Sequence, residues 1–316
     1  MVFSALACKK KNVPKVDYAE EMRKMVIEIS VTAKSVDPDF LIIPQNGVPL
    51  VTESRKKDGV LALDYIAAID GQGQEGLFYG YQKDDKATKQ ESVDYLTAYL
   101  DLMEENGIEV LVTDYCSTLD NINSSFSKND AKNYVGFAAT ERNLTNIPDY
   151  NVNVHNENEE EIENLSQVKN FLYLINPTEK FSDKTTFINA VKATNYDLVL
   201  IDRDFNDENY TPSEIESLKW KENGAKRLVI CYMSIGEAED YRSYWKKEWE
   251  KNKTKPEWLF KENRKWRGNY KVFYWMQDWK NIIYGTESSY LTSILNVGFD
   301  GTYLDIVDAY EYYEEL

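Results

Sequence analysis

Short apolar runs rich in β-branched and aromatic residues alternate along this chain with amphipathic helical stretches. That alternation leaves few folds other than an α/β protein built on a parallel sheet. The runs are Phe40–Pro44, Ile66–Asp70, Val110–Asp114, Tyr134–Ala138, Phe171–Ile175, Leu198–Asp202, Leu228–Met233, Val272–Trp275 and Thr302–Ile306. Most are apolar almost throughout, as strands covered on both faces are. Tyr18–Lys34 is the clearest helix, with Met22, Met25, Val26 and Ile29 on one face and Glu20, Glu21, Lys24 and Glu28 largely off it. Ser92–Glu105, Ser213–Glu222 and Glu287–Asn296 follow, with Pro212 at a helix start and Gly107, Gly224 and Gly298 placed as C-caps. The expected fold is a single (β/α)8 TIM-type barrel over residues 17–316. The runs outnumber its strands by one, and Val272–Trp275, inside a Trp-rich excursion, is set aside.

In such a barrel the strand C-termini converge on one rim, where chemistry sits. Polar residues mark many of these ends: Gln45 and Asn46, Asp70, Asp114 and Tyr115, Asp202, Ser234 and Glu237, and Asp305. Each also suits the N-cap of a following helix, and Asp202 is read that way. Composition narrows the chemistry. A single His rules out a three-His zinc site and a helical HExxH site. A formal charge of −17, from 54 Asp and Glu against 37 Lys and Arg, argues against a nucleic-acid partner. No phosphate-cradling GxxxxGK[ST] loop occurs, and no cofactor is expected. Acid–base work therefore falls to carboxylates. The 23 Tyr and 7 Trp leave room for a sugar-stacking groove beside ordinary aromatic packing.

The stretch Glu141–Lys169 is polar, acidic and without periodicity, and reads as a solvated linker carrying an exposed His155. Cys116 and Cys231 stand in or after apolar runs and read as buried thiols. Leu6-Ala7-Cys8 followed by Lys9 resembles the end of a bacterial lipoprotein signal, although the apolar run is shorter than the usual ~7–15 residues and no basic segment precedes it. This makes residues 1–16 a signal remnant and tether. It implies the bacterial cell envelope, with membrane contact only through a lipid on Cys8. No run of about 18 apolar residues occurs, so no membrane-spanning helix is expected. The chain is read as a monomer.

Three strings carry a family resemblance: Met233-Ser-Ile-Gly-Glu-Ala-Glu-Asp-Tyr-Arg242, Trp266-Arg-Gly-Asn-Tyr270, and Gly298-Phe-Asp-Gly-Thr-Tyr-Leu-Asp-Ile-Val-Asp-Ala-Tyr-Glu-Tyr312. Pro38-Asp-Phe-Leu-Ile-Ile-Pro-Gln-Asn-Gly47, Ile69-Asp-Gly-Gln-Gly-Gln-Glu-Gly-Leu-Phe-Tyr79 and Val112-Thr-Asp-Tyr115 extend it. Together they resemble the TM1410-type branch of the glycoside hydrolase family 114 proteins, barrels related to endo-α-1,4-polygalactosaminidases. In the family, the segments resembling 171–312 precede those resembling 18–142, whereas here they follow. The chain therefore reads as a circular permutation, with 141–169 bridging the family's original ends. Such an order requires Val16 and Leu316 to lie side by side on the rim that carries Asp305.

The resemblance implies a glycosidase that cleaves an α-linked polysaccharide, including a galactosamine-containing one, with a carboxylate pair. It places the catalytic positions on Asp305, as nucleophile, and Glu75, as general acid/base. Asp114 and Tyr115 are then expected to orient Glu75 or contact a sugar. Gln45, Asn46, Asp70 and Asp308 join them as substrate-binding candidates. Glu237 and Arg242 are read as an ion pair shaping the site, and Trp266, Tyr270, Tyr274 and Trp275 as stacking residues. One departure stands out. Tyr274-Trp-Met-Gln-Asp-Trp279 carries Met276 where the family tends to have an acid. It keeps open a second reading, a non-hydrolytic cell-surface carbohydrate-binding lipoprotein on the same scaffold.

Overall fold

The computed structural model describes residues 13–150, 154–251 and 253–316. Cys8 and the proposed lipid signal lie outside the described residues. Among the described residues the protein is an α/β structure around eight parallel strands: β1 Leu41–Pro44, β2 Gly71–Glu75, β3 Glu109–Tyr115, β4 Val135–Ala139, β5 Phe171–Leu174, β6 Leu198–Ile201, β7 Leu228–Ser234 and β8 Gly301–Asp305. They form two hydrogen-bonded arcs, β1-β8-β7-β6-β5 and β2-β3-β4. The first and last strands pair in parallel, Leu41 opposite Gly301 and Pro44 opposite Leu304. The arcs meet at β1 and β2 through one parallel bridge, Gln45 to Gly73, with the Asn46 N–H donating to the Gly73 carbonyl at 2.9 Å. At the other seam β4 and β5 touch through Phe137 and Phe171, whose ring centroids are 5.5 Å apart. No ladder joins those two strands among the described residues. The order is that of a (β/α)8 barrel, but the hydrogen-bonded cylinder is open at this seam.

Seven of the sequence-read runs become these strands to within a residue or two. The eighth, Ile66–Asp70, does not. Leu63–Ile66 is a short helix, and the strand is the next segment, Gly-Gln-Gly-Gln-Glu. A strand with no β-branched residue escapes a propensity reading. Tertiary fit accounts for it, since a Cβ on Gly73 would collide with the Tyr303 hydroxyl across the interior. Val272–Trp275 is rightly outside the parallel set: Asn269–Val272 belongs to a three-stranded antiparallel sheet with Glu237–Glu239 and Leu259–Glu262. Asp17 caps the first helix, Tyr18–Val36, by accepting from the Glu20 N–H at 3.0 Å. Gly107 and Gly298, at φ 78° and 86°, follow helix ends as expected of C-caps.

The two ends of the described chain meet. The ring of Tyr18 lies 5.6 Å from that of Tyr313 and 5.2 Å from that of Trp275. Glu314 pairs with Arg55 at 2.5 Å. The helix Ala309–Glu314 begins four residues after Asp305. This juxtaposition sits on the rim where β8 ends.

The 141–169 segment differs from a solvated linker. Leu144, Tyr150, Ile162, Leu165 and Val168 are buried, because a connection from the end of β4 to the start of β5 with no α-helix among its described residues must cover the core itself. His155 is not freely exposed. Its ring stacks on Phe126 at 4.2 Å and its Nε2 lies 3.0 Å from Asp130. Cys116 and Cys231 are free, buried thiols as expected. No described helix is long and apolar enough to cross a membrane.

Candidate active site

β2 and β8 end in acids, Glu75 and Asp305, on the same rim. Side chains alternate along a strand, so Tyr303 and Asp305 share one face of β8, and Gly73 and Glu75 one face of β2. Tyrosines from neighbouring strands hold both acids. The Tyr232 hydroxyl of β7 donates to Asp305 at 2.5 Å, and the Ile306 N–H donates to it at 2.7 Å. The Tyr115 hydroxyl of β3 donates to Glu75. Ile306 has φ 60°, a rare conformation for a β-branched residue, and such strain concentrates where structure serves a site.

The electrostatics follow from crowding acids at a half-buried rim. Burial first, then the charge of Glu75, holds the Asp305 carboxyl well above the ordinary Asp range, against the Tyr232 and Ile306 hydrogen bonds. Burial and the same acids push the Tyr115, Tyr232 and Tyr303 phenols up, so all three remain neutral, and Tyr115 and Tyr232 act as donors. Asp308 is pushed up to about 7 by burial, then by Glu311 and Glu75.

A cleft of about 330 Å³ opens beside Glu75, with Asn46, Gln74, Arg142, Asp308 and Glu311 among its walls. Asp305 is not one of its lining residues, though it senses the charges of Glu75 and Asp308. Asn46 orients the Glu75 segment: its Oδ1 accepts from Gln74 Nε2 at 3.1 Å and from the Glu75 N–H at 3.3 Å. Gln45 is buried, accepting from the Tyr173 hydroxyl at 3.2 Å.

Several sequence candidates fall elsewhere. Asp70 precedes β2 and so sits on the opposite rim, paired with Lys34 at 2.9 Å and accepting from the Ile42 N–H at 2.8 Å. Asp114 points away from Tyr115 by strand alternation and is fully buried. It accepts from the N–H groups of Phe78 and Tyr79 at 2.8 and 3.0 Å and from the Ser125 hydroxyl at 2.7 Å. It anchors the chain after Glu75 and has no path to a substrate. Glu237 and Arg242 do not pair. Glu237 bonds Lys271 at 3.1 Å, while Arg242 pairs with Glu239 at 2.5 Å and with Asp202. Asp202 is therefore an ion-pair partner, not the expected N-cap. Tyr274 is buried, donating to the Tyr18 carbonyl, and Trp275 packs among Tyr18, Phe273 and Tyr313. Tyr270 packs on Trp245, Trp266 is exposed on the excursion, and Met276 packs on the core. Tyr232 and Tyr303 escaped the sequence reading, although each lies two residues before a strand-end polar group and so shares its face. Arg142 and Glu311 left no comparable signal.

Among the described residues no group of three or more His, Cys, Asp or Glu could hold a metal ion. Residues 173–316 match the model of glycoside-hydrolase family GH114. The matched stretch runs from β5 through β8 and contains Asp305 but not Glu75. The chain is also 41% identical over 161 residues to the uncharacterized protein MJ1477 of Methanocaldococcus jannaschii, covering 50% of this chain and 43% of that protein. An uncharacterized protein of Thermotoga maritima is 42% identical over 106 residues, 34% of this chain and 30% of that protein. One of Deinococcus radiodurans is 38% identical over 126 residues, 40% of this chain and 38% of that protein. The chain thus spans less than half the length of these curated relatives.

Proposed function

We propose that this protein is a glycoside hydrolase that cleaves an α-linked polysaccharide, with Asp305 as nucleophile and Glu75 as general acid/base. The observation that carries the reading is the pair of tyrosine-held carboxyls, each at a parallel-strand end of one rim, with Asp305 feeling the charge of Glu75 and Glu75 lining an open cleft. Glycosidic cleavage needs two such groups. Glu75 would give its proton to the leaving oxygen as that C–O bond breaks and the Asp305 carboxylate bonds to the anomeric carbon. Glu75, now a carboxylate, would then take a proton from water, whose oxygen displaces Asp305. A galactosamine-containing polymer suits the cleft, since the Asp308 and Glu311 carboxyls there can accept hydrogen bonds from its amino and hydroxyl groups. The test is a panel of polysaccharides, neutral and amino-sugar, assayed for new reducing ends. Release from none of them would sink the hydrolase reading, and binding without release would favour a carbohydrate-binding role.

The raised Asp305 pKa has a direct consequence. A nucleophile must be ionised, and below its pKa Asp305 carries a proton. Activity is therefore expected to fall as pH drops through a value well above 3.8, the ordinary Asp value. In a plot of kcat/KM against pH the acid limb reports this group in the free protein. A flat profile down to pH 4 would contradict the assignment.

The proposal includes a circularly permuted barrel. It is supported by the order of the resembling segments, by the parallel pairing of β1 with β8, and by the contact of Tyr18 with Tyr313. A chain in which residue 316 is joined to residue 17 by a short Gly-Ser linker and opened within 151–153 should fold with the same thermal midpoint to within a few degrees. Failure of that chain to fold, beside a soluble parent, would count against the permuted reading.

A further inference from the structure

The cleft beside Glu75 extends to two aromatic rings that the proposed reaction does not use. Tyr81 and Tyr95 line it, and they are 54% and 52% exposed. Large rings are costly to leave in water, and the backbone that carries Tyr81 and the ring of Tyr95 are both held by their surroundings. Tyr81 follows Gly80, whose N–H donates to the Lys86 carbonyl at 2.9 Å and whose carbonyl accepts from Arg142 at 2.5 Å. Arg142 is itself fixed by Asp84 at 2.6 Å and by stacking 3.9 Å above the Tyr115 ring. The same loop is pinned further along, where Asp85 accepts from the N–H groups of Ser117 and Thr118 at 2.9 and 3.0 Å. Tyr95, on the helix Gln90–Glu104, meets the Tyr99 ring edge-on at 5.3 Å, and the Tyr99 hydroxyl donates to the Arg55 carbonyl at 2.9 Å. Part of the ordering cost, that of the loop carrying Tyr81 and of the Tyr95 ring, is thus met before any ligand arrives.

The same cleft carries the Asp308 and Glu311 carboxyls. Aromatic faces beside hydrogen-bond acceptors match a pyranose ring, which offers an apolar C–H face and a rim of hydroxyl donors. We infer that Tyr81 and Tyr95 form a stacking subsite for a sugar of the polymer next to the one attacked, with Glu311 accepting from its hydroxyls. The inference rests on the carbohydrate reading above and goes past it, because it makes affinity depend on residues outside the reacting pair and on chain length.

The experiment measures polymer affinity by gel retardation, and KM where cleavage occurs, for wild type, Tyr81→Ala, Tyr95→Ala, the double variant and Tyr95→Phe. Each alanine variant is expected to weaken affinity about threefold to tenfold, and Tyr95→Phe, which keeps the ring, to restore it to within about twofold. Thermal midpoints should stay near wild type, because both rings are more than half exposed. Wild-type affinity in the double variant, for a polymer that wild type binds or cleaves, would overturn the subsite and leave the hydrolase reading standing. Binding without cleavage would remove the hydrolase reading while the affinities still decide the subsite. A wild type that neither binds nor cleaves any polymer of the panel would end both.

Discussion

Asp305→Asn is expected to lose at least about a thousandfold in turnover of any cleaved polymer while melting at a higher temperature than wild type at pH 7. The two effects share one cause. Burial and the nearby Glu75 charge raise the Asp305 pKa in the folded protein. An acid so raised binds its proton more tightly folded than unfolded, so ionising it costs folding stability. That cost sets in as pH rises past the ordinary value of 3.8 and is complete only above the raised value. Asparagine has no charge to desolvate. Its amide oxygen can still accept from the Ile306 N–H, and its NH2 can donate to the Tyr232 oxygen, which then turns from donor to acceptor. The fold gains and the reaction loses its nucleophile. Glu75→Gln separates the roles. It removes the proton donor, so polymer cleavage should also fall about a hundredfold or more. Aryl glycosides with acidic phenol leaving groups need no proton, and they should still glycosylate Asp305 in a rapid burst. A burst from Asp305→Asn and none from Glu75→Gln would reverse the assignment. A lower melting temperature for Asp305→Asn would contradict the electrostatic account.

The sequence exposed the parallel architecture because its strands announce themselves as apolar, β-branched runs, as at Leu198–Ile201 and Leu228–Ser234. It hid β2 because that strand is selected by what faces it, not by propensity. Gly73 clears space for Tyr303, and no local pattern reports a contact between residues so far apart. The site divides in the same way. Asp305 and Glu75 entered as candidates through the resemblance, and the structure puts both at strand ends on one rim, where Asp305 feels the Glu75 charge. Asp114 and Tyr115 looked equivalent as strand-end polar residues, yet alternation sends one to the Glu75 carboxylate and the other into the packed layer beneath the helix Leu119–Asp130. Arg242 and Glu237 are close enough in sequence to suggest a pair. Arg242 instead takes Glu239, two residues beyond Glu237 on the same strand, together with Asp202, while Glu237 takes Lys271, and charge spacing alone could not choose among them.

Lys221→Met should be among the most destabilising single substitutions away from the site, at about 3–5 kcal/mol. Lys221 and Asp197 form an ion pair at 2.8 Å with both side chains 0% exposed. Lys221 Nζ also donates to Asn158 Oδ1 at 3.2 Å. The second oxygen of Asp197 accepts from Asn158 Nδ2 and from the Lys169 N–H, both at 2.9 Å. Asp197 is thus the post to which both halves of the 154–170 crossing are tied at the start of β6. Removing only the lysine leaves a buried carboxylate whose charge is no longer matched, and this loss is larger than the worth of the pair itself. The double variant Lys221→Met/Asp197→Asn keeps an acceptor for Lys169 and removes the stranded charge, so it should regain a large part of the loss. Urea denaturation gives the size of the effect through the midpoint at constant slope. Amide exchange should show the crossing opening before β6 in the single variant. A single-variant cost below about 1 kcal/mol, or a double variant no more stable than the single, would mean that packing by Ile162, Leu165 and Val168 holds the crossing without help from the pair.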